Sequence, residues 1–293
     1  MWDGSGYNYI QGVHMKTTYQ SVAVDGVDVF YRDAGKDNKK SILLLHGFPT
    51  SSHMFRSLMA KLADDYHVVA PDLPGFGFTV PPRDSFKYTY DHLADVILGF
   101  VKKIGLKDMA VYVFDYGAPV GFRMALKEPG LFKAFISQNG NIYQEGVGPM
   151  LLPIVNATPE KRGELGGLAS LDFIKENYYT GADKELVSPD GMHLDYYYIS
   201  RPGIGDIQID LVLEYKTNVE LYPQFQAYLR DNKVPVLAVW GKNDQFFLPP
   251  GAEAYKRDSP DCEVHFVDSG HFALETHCDE ICAHMRTFLE ERL

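Results

Sequence analysis

The chain has 293 residues, of which 45% are hydrophobic and 23% are charged, as in an ordinary globular protein. This composition excludes intrinsically disordered, collagen-like and disulfide-scaffold proteins. Asp and Glu number 39 against 28 Lys and Arg, which gives a formal net charge of −11. Because an acidic surface repels phosphate groups and anionic lipids, neither nucleic acid nor a membrane is an expected partner.

The chain also lacks the signals that direct a protein into or across a membrane. It contains no run of about 18 apolar residues, and its N-terminus has no apolar stretch of the signal-peptide kind. The three cysteines, Cys262, Cys278 and Cys282, are too few for a disulfide framework. We therefore expect a soluble, cytoplasmic protein, with residues 1–20 as a polar N-terminal extension.

Short β-branched or aliphatic runs alternate with helical patterns along the chain. Strands are predicted at 21–24, 27–32, 41–46, 67–71, 110–114, 134–138, 234–240 and 263–267. The first two flank Asp25-Gly26, which predicts an antiparallel hairpin. The third, fifth and seventh are almost continuously apolar, as expected for strands buried on both faces of a parallel sheet. Helices are predicted at 53–63, 91–104, 118–127, 252–257 and 276–290.

This alternation predicts an α/β fold with a mostly parallel, eight-stranded sheet and helices on both faces. It stops within residues 141–232, a segment rich in Gly, Pro and Tyr that is expected to be mainly helical. Ligands of open α/β sheets bind at the carboxyl ends of the strands, so we interpret this segment as a cap over that edge. Residues 1–140 and 233–293 are then the two parts of the core.

The segment 110–121 passes from an apolar strand into a helix, with Asp115 at the junction. Gly117 and Gly121 leave room for a tight turn and for close helix packing. A side chain at such a bend projects from the edge of the sheet, where the helix N-terminus favours negative charge. Asp115 is therefore either a functional carboxylate or an ordinary helix N-cap.

Four further motifs follow predicted strands, at 46–49 (HGFP), 72–77 (DLPGFG), 240–244 (WGKND) and 268–272 (DSGHF). In this order, they and the Asp115 turn resemble the α/β-hydrolase superfamily, in its epoxide hydrolase and haloalkane dehalogenase-like branch. The resemblance extends from about residue 22 to the C-terminus. It implies the α/β-hydrolase fold with a helical cap. No G-x-S-x-G motif occurs, which disfavours a serine esterase.

The resemblance also implies roles for individual residues. Asp115 matches the nucleophile, Asp244 the acid and His271 the base, while Phe48 and Tyr116 match the residues whose backbone N–H groups form the oxyanion hole. Val113 stands where the family usually has a glycine. Asn139 and Asn141 follow the sixth strand, where some relatives carry an alternative acid; neither is a carboxylate, which favours Asp244.

An aspartate nucleophile suits displacement at a saturated carbon, because a carboxylate is already ionised at neutral pH. The product would be an alkyl ester on Asp115. Water activated by His271, which Asp244 orients, would then attack the ester carbonyl. Water is the co-substrate of this reaction, and no metal or organic cofactor is required.

The leaving group separates the candidate substrates. Haloalkane dehalogenases of this branch have Trp after the nucleophile and often Asn in the early motif, where this chain has Tyr116 and Phe48. The arginines that fluoroacetate dehalogenases carry after the nucleophile are also missing. An opening epoxide instead needs a proton, which tyrosine can donate.

The tyrosines of the expected cap are the candidate proton donors. Tyr215 lies in a Tyr-Lys pair similar to the Tyr-Arg pair of epoxide hydrolase caps, and Tyr178 and Tyr179 are further candidates. Tyr215 could equally be a packed core aromatic residue, and no spacing distinguishes Tyr178 or Tyr179 from core aromatic residues.

Three hypotheses follow for the function of the chain. The first is a cofactor-independent hydrolase that opens an epoxide to a diol, the second is a hydrolytic dehalogenase, and the third is a non-catalytic small-molecule-binding protein. The expected ligand is small and apolar or aromatic. A second copy of the chain in a homodimer is a further expected partner.

Overall fold

The computed structural model describes residues 17–293, in which eight strands form one sheet. The strands are β1 (Thr18–Val24), β2 (Val27–Ala34), β3 (Ser41–Leu45), β4 (His67–Pro71), β5 (Met109–Phe114), β6 (Phe132–Gln138), β7 (Val236–Gly241) and β8 (Glu263–Val267). Their order in the sheet is β1-β2-β4-β3-β5-β6-β7-β8. β2 runs in the direction opposite to the other seven strands, which all point the same way. The predicted mostly parallel sheet of eight strands is confirmed.

The first two strands form the predicted hairpin. Asp25 and Gly26 have φ angles of 47° and 84°, and Val24 pairs with Val27 across the turn. Two successive residues with positive φ give a two-residue turn whose twist matches that of the strands. The strand begins earlier than predicted, since Thr18–Gln20 pair with β2 rather than belonging to an N-terminal extension. Residues 1–16 of the expected extension lie outside the described residues.

The parallel strands in the middle of the sheet bring several of the motifs to one edge. Every residue of β3, β5 and β7 is buried, as the apolar runs predict. β3 and β5 are parallel neighbours, as are β6 and β7. Because parallel strands end at the same edge, the loops after β3, β5, β6 and β7 meet there.

Ten α-helices cover the sheet and its edge. They are α1 (Arg56–Leu62), α2 (Tyr90–Ile104), α3 (Gly117–Lys127), α4 (Leu152–Val155), α5 (Leu171–Tyr179), α6 (Pro189–Ile199), α7 (Ile204–Glu214), α8 (Lys216–Asn232), α9 (Pro249–Asp258) and α10 (Ala273–Glu290) within the described residues. α1 packs with α10, and α2 packs with α3, which also contacts α8. No helix within residues 17–293 is long and apolar enough to cross a membrane.

The helices α4–α8, together with a 3-10 helix at Pro159–Ala169, lie between β6 and β7 and are called the insertion below. The insertion is attached to the core by hydrogen bonds. Arg123 of α3 donates to Asn218 at 2.7 Å and to Thr217 at 3.0 Å, and Gln208 donates to the carbonyl of Gly75 at 2.8 Å. The middle of α7 is thereby held to the loop that follows β4, and the start of α8 is held to α3.

The start of α3 packs against the end of β3, and this contact requires glycine. A Cβ atom at Gly117 would lie 2.2 Å from the carbonyl oxygen of Leu45. We expect Gly117→Ala to lower the free energy of unfolding by about 1–3 kcal/mol, since the helix must move away from the sheet. Urea unfolding measures the change.

Gly130→Ala is the matched control, because no atom lies within 4 Å of the added methyl group. It should change stability by no more than about 1 kcal/mol. Equal stability of the two variants would contradict a tight contact between α3 and β3.

Candidate active site

Asp115 lies at the bend between β5 and α3, with a φ angle of 47°. A positive φ is uncommon for a residue other than glycine and marks a strained turn. The N-cap of α3 is Tyr116 and not Asp115, so the aspartate does not close the helix start. Its carboxylate instead points at the loop after β3, where a Cβ atom at Gly47 would lie 2.2 Å from Oδ1 of Asp115.

The departure from the family pattern at Val113 is accommodated by a glycine on the helix. A Cβ atom at Gly121 of α3 would lie 2.9 Å from a methyl carbon of Val113. The absence of a side chain at Gly121 therefore leaves room for the larger residue on β5. The helix keeps its close packing on the strand.

His271 and Asp244 complete a buried chain of three side chains with Asp115. Nδ1 of His271 lies 2.8 Å from Oδ2 of Asp244, and Nε2 of His271 lies 3.9 Å from Oδ2 of Asp115. The three residues are 5%, 1% and 8% exposed, respectively. The imidazole ring packs against Phe114 and Phe246, with ring centroids 4.7 and 5.3 Å apart, so it is held in place by aromatic contacts.

Two backbone N–H groups hold the Asp115 carboxylate from the opposite side. The N–H of Phe48 donates to Oδ1 at 2.6 Å, and the N–H of Tyr116 also acts on the carboxylate by lowering its pKa. The five residues that the sequence singled out for the catalytic centre are therefore brought together in the structure. The remaining oxygen of Asp115, Oδ2, faces the histidine.

Asn139 is a member of this site that the sequence analysis set aside. It follows β6, has a φ angle of 47°, and its amide donates to Oδ2 of Asp244 at 2.7 Å. The N–H of Gly241 donates to its side-chain oxygen at 2.9 Å. Oδ2 of Asp244 thus accepts from both His271 and Asn139. The signal for this contact was the place of Asn139 after a strand that is the neighbour of β5 and β7.

Burial and charge act in opposite directions on the two titrating groups. Burial raises the pKa of Asp115 to about 6, although the charge of His271 and the two N–H groups oppose this increase. Burial lowers the pKa of His271, but the charge and hydrogen bond of Asp244, with the charge of Asp115, outweigh it and raise that pKa overall. The site therefore holds an ionised carboxylate at neutral pH in surroundings with little water.

An inner cavity of about 20 Å³ lies beside Asp115 and His271, between the core and the insertion. Its lining is otherwise mostly apolar and consists of Phe48, Tyr116, Leu151, Ile154, Leu168, Phe173, Asn177, Val212 and Phe246. Six of these side chains, Leu151, Ile154, Leu168, Phe173, Asn177 and Val212, come from the insertion. Among residues 17–293, no group of three or more His, Cys, Asp or Glu side chains is arranged to hold a metal ion.

Of the tyrosines expected to contact substrate, Tyr215 packs against Tyr116 at the bend but does not itself line the inner cavity. Its ring lies 5.8 Å from the ring of Tyr116, and burial, together with the nearby charges of Tyr222 and Asp115, raises its pKa well above 10. Tyr222 was not predicted; it is buried, and the charge of Asp115 adds to the effect of burial on its pKa. It lies seven residues after Tyr215, a spacing of two helical turns that places both on one face.

The structure does not bring Tyr178 or Tyr179 to the inner cavity. The hydroxyl of Tyr178 donates to Asp195 at 2.6 Å, and its ring stacks on Phe272 with centroids 4.0 Å apart. Tyr179 is half-buried, and its ring faces the ammonium group of Lys184 at 5.5 Å. Both side chains pack within the insertion or against the core.

Fold and site together define the class of the protein. The α/β hydrolase fold family matches residues 40–277, and the chain belongs to this family. It is 44% identical over 262 residues to the uncharacterized hydrolase YNR064C of Saccharomyces cerevisiae, a match that covers 86% of this chain and 90% of the relative. It is 25% identical over 297 residues to epoxide hydrolase 3 of Mus musculus, which covers 95% of this chain and 78% of the relative.

A solved structure shares the same fold. Haloalkane dehalogenase DbeA from Bradyrhizobium elkani superposes with a TM-score of 0.79 at 21% identity, over 94% of this chain and 98% of that one. The predicted resemblance to the epoxide hydrolase and haloalkane dehalogenase-like branch is confirmed. The protein is an enzyme of the hydrolase class, which sets aside the hypothesis of a non-catalytic binding protein.

Replacing Asp244 with asparagine is expected to lower the pKa of His271. In the native protein Asp244 outweighs the effect of burial on the imidazole, whereas in D244N the charge of Asp115 alone opposes it. Titration of the ¹⁵N-labelled imidazole by NMR measures the change. Asp268→Asn is the control, because Asp268 is exposed and lies in the loop after β8 that also carries His271. This variant should leave the pKa of His271 unchanged. An unaltered pKa in D244N would show that Asp244 does not govern the histidine.

Proposed function

We propose that the protein hydrolyses epoxides to diols through a covalent ester on Asp115. The observation that carries the proposal is the asymmetry of the Asp115 carboxylate. Oδ1 accepts from the N–H of Phe48 at 2.6 Å, while Oδ2 lies 3.9 Å from Nε2 of His271. One oxygen is thus positioned to become the ester carbonyl, and the other is available to attack a substrate carbon.

In the first step, Oδ2 of Asp115 attacks a ring carbon of the epoxide and the carbon–oxygen bond of the ring breaks. The Asp115 carboxyl, with a pKa of about 6, is mostly ionised at neutral pH, so no base is needed. The ring oxygen takes a proton from Tyr215, which its raised pKa keeps protonated beforehand. An alkoxide is a much stronger base than a phenolate, so the transfer is favourable.

In the second step, Nε2 of His271 takes a proton from water, and the resulting hydroxide attacks Cγ of the ester. Negative charge develops on Oδ1, where the N–H groups of Phe48 and Tyr116 stabilise it by about 3 kcal/mol each. The intermediate collapses with cleavage of the bond between Cγ and Oδ2. The departing alkoxide takes the proton from His271, and the Asp115 carboxyl returns its proton to Tyr215.

A haloalkane would form the same ester, so hydrolytic dehalogenation is the alternative. The two reactions differ in the group that departs. An epoxide oxygen needs a proton, and the buried Tyr215, whose ring packs against the ring of Tyr116 beside Asp115, favours this leaving group. A halide needs N–H donors, and the side chains of Phe48 and Tyr116 supply none. The apolar lining of the inner cavity further supports an apolar reacting end of the substrate.

Replacing His271 with glutamine should trap the ester. We expect intact-protein mass spectrometry to show a mass increase equal to one bound epoxide, located on Asp115 by peptide mapping. In the native enzyme, a single turnover in ¹⁸O-water should place ¹⁸O in the Asp115 side chain, because the attacking oxygen comes from water. Asp115→Ala is the control and should show neither signal. Turnover of epoxide without label on Asp115 would refute the covalent route.

Replacing Tyr215 with phenylalanine should slow ester formation from an epoxide by on the order of 100-fold, since the proton donor is lost. Stopped-flow measurement of the first step gives the rate. Tyr197→Phe, a change at a 62% exposed tyrosine, is the control.

A panel of epoxides, haloalkanes and haloacids distinguishes the two leaving groups. Halide release without diol formation, at a rate that Y215F leaves unchanged, would favour the dehalogenase.

A further inference from the structure

The inner cavity does not end at the catalytic residues. An outer chamber of about 340 Å³ adjoins it, lined by Pro149, Met150, Glu176, Asn177, Thr180, Asp244, Gln245, Phe246 and His271. Asn177, Phe246 and His271 line both spaces and therefore form the neck between them. Met150, Glu176, Thr180 and Gln245 are exposed, so the outer chamber opens to the surface of the protein.

Asn177 is the unexpected residue in this neck. It lies on α5, one helical turn after Phe173, and both side chains line the inner cavity. It is only 5% exposed, and its carboxamide makes no hydrogen bond within residues 17–293, but its nitrogen and oxygen are not among the fully enclosed polar atoms that lack a partner. These atoms therefore remain open to the adjoining spaces, where a ligand can pair with them.

Other buried asparagines in the protein differ in this respect. The amide of Asn139 donates to Asp244 at 2.7 Å, and that of Asn141 donates to the carbonyl of Tyr143 at 2.7 Å. The side-chain oxygen of Asn218 accepts from Arg123 at 2.7 Å, although its amide nitrogen has no partner within residues 17–293. The carboxamide of Asn177 instead faces the space that a ligand would fill, close to the catalytic histidine.

We propose that Asn177 determines substrate specificity by hydrogen-bonding an uncharged amide or hydroxyl group of the substrate. The substrate then has its reactive epoxide at Asp115 and a chain that passes the neck toward the outer chamber. A carboxamide both donates and accepts, so its best partners are groups that do the same. The identity of the reacting group rests on the proposed function, whereas the role of Asn177 as a ligand contact does not.

The charged side chains that line the inner cavity and the outer chamber favour an uncharged group on the substrate. Neither lining contains a lysine or arginine among the described residues, and the outer chamber carries the carboxylate of Glu176. A substrate carboxylate would leave water without a cation to receive it. The formal net charge of −11 disfavours an anionic substrate further.

A matched set of substrates tests the proposal. 5,6-Epoxyhexanamide and 1,2-epoxy-6-methylheptane have the same shape and differ only in the replacement of the carboxamide by an isopropyl group, and 5,6-epoxyhexanoate carries a charge at that position. The native enzyme should have the highest kcat/KM for the amide and the lowest for the carboxylate. Asn177→Leu should lose roughly tenfold in kcat/KM for the amide, as expected for one neutral hydrogen bond, and less than twofold for the hydrocarbon.

Ile154→Val is the control, since it also changes a lining residue but removes no hydrogen bond. It should affect the amide and the hydrocarbon alike. An equal loss of kcat/KM for both substrates in N177L would overturn the proposal.

Binding of hexanamide, which cannot react, separates this proposal from the proposed function. Isothermal titration of native protein and N177L should show roughly tenfold weaker binding in the variant. If no epoxide were opened and no ester trapped, the proposed function would fail while a weaker hexanamide complex in N177L would still support the role of Asn177. Equal affinity of the two proteins for hexanamide would refute that role.

Discussion

The site depends on the left-handed conformation of one residue, Asp115, between a fully buried strand and a helix. A φ angle of 47° at a residue with a side chain costs of order 1–3 kcal/mol, so the surroundings must hold it. They do so from three directions. β5 is hydrogen-bonded between β3 and β6, the start of α3 lies against the carbonyl of Leu45, and the N–H of Phe48 binds the carboxylate. Any of these contacts, if lost, would let the carboxylate turn away from His271.

The burial that positions the carboxylate also couples it electrically to the histidine. While Asp115 is ionised, its charge helps to raise the pKa of His271, and the charge of His271 in turn opposes the rise in the pKa of Asp115. Formation of an ester removes the charge of Asp115. The pKa of His271 must then fall, which favours the neutral imidazole that the second step of the proposed reaction requires. The first step thus prepares the base for the second.

The core and the insertion contribute different things to the site. The core supplies the three titratable side chains and the two N–H groups, all at the ends of strands whose positions the sheet determines. The insertion supplies most of the apolar lining of the inner cavity, together with the carboxamide of Asn177 at the neck. The catalytic groups therefore lie at the sheet edge, while α4, α5, α7 and the 3-10 helix supply most of the lining around them.

The sequence by itself determined the sheet, the hairpin at Asp25-Gly26 and the residues gathered around Asp115. The physical reason is that strand burial and turn conformation are local properties, which appear as continuous apolar runs and as glycine and aspartate at defined positions. Parallel strands then bring their following loops to one edge whatever the rest of the chain does. No comparable local property of the sequence predicts the contacts of the insertion. Only the tertiary structure decided that Tyr178 binds Asp195, that Asn139 supports Asp244 and that Asn177 faces a cavity, because helix periodicity indicates which face is buried and not which partner it meets.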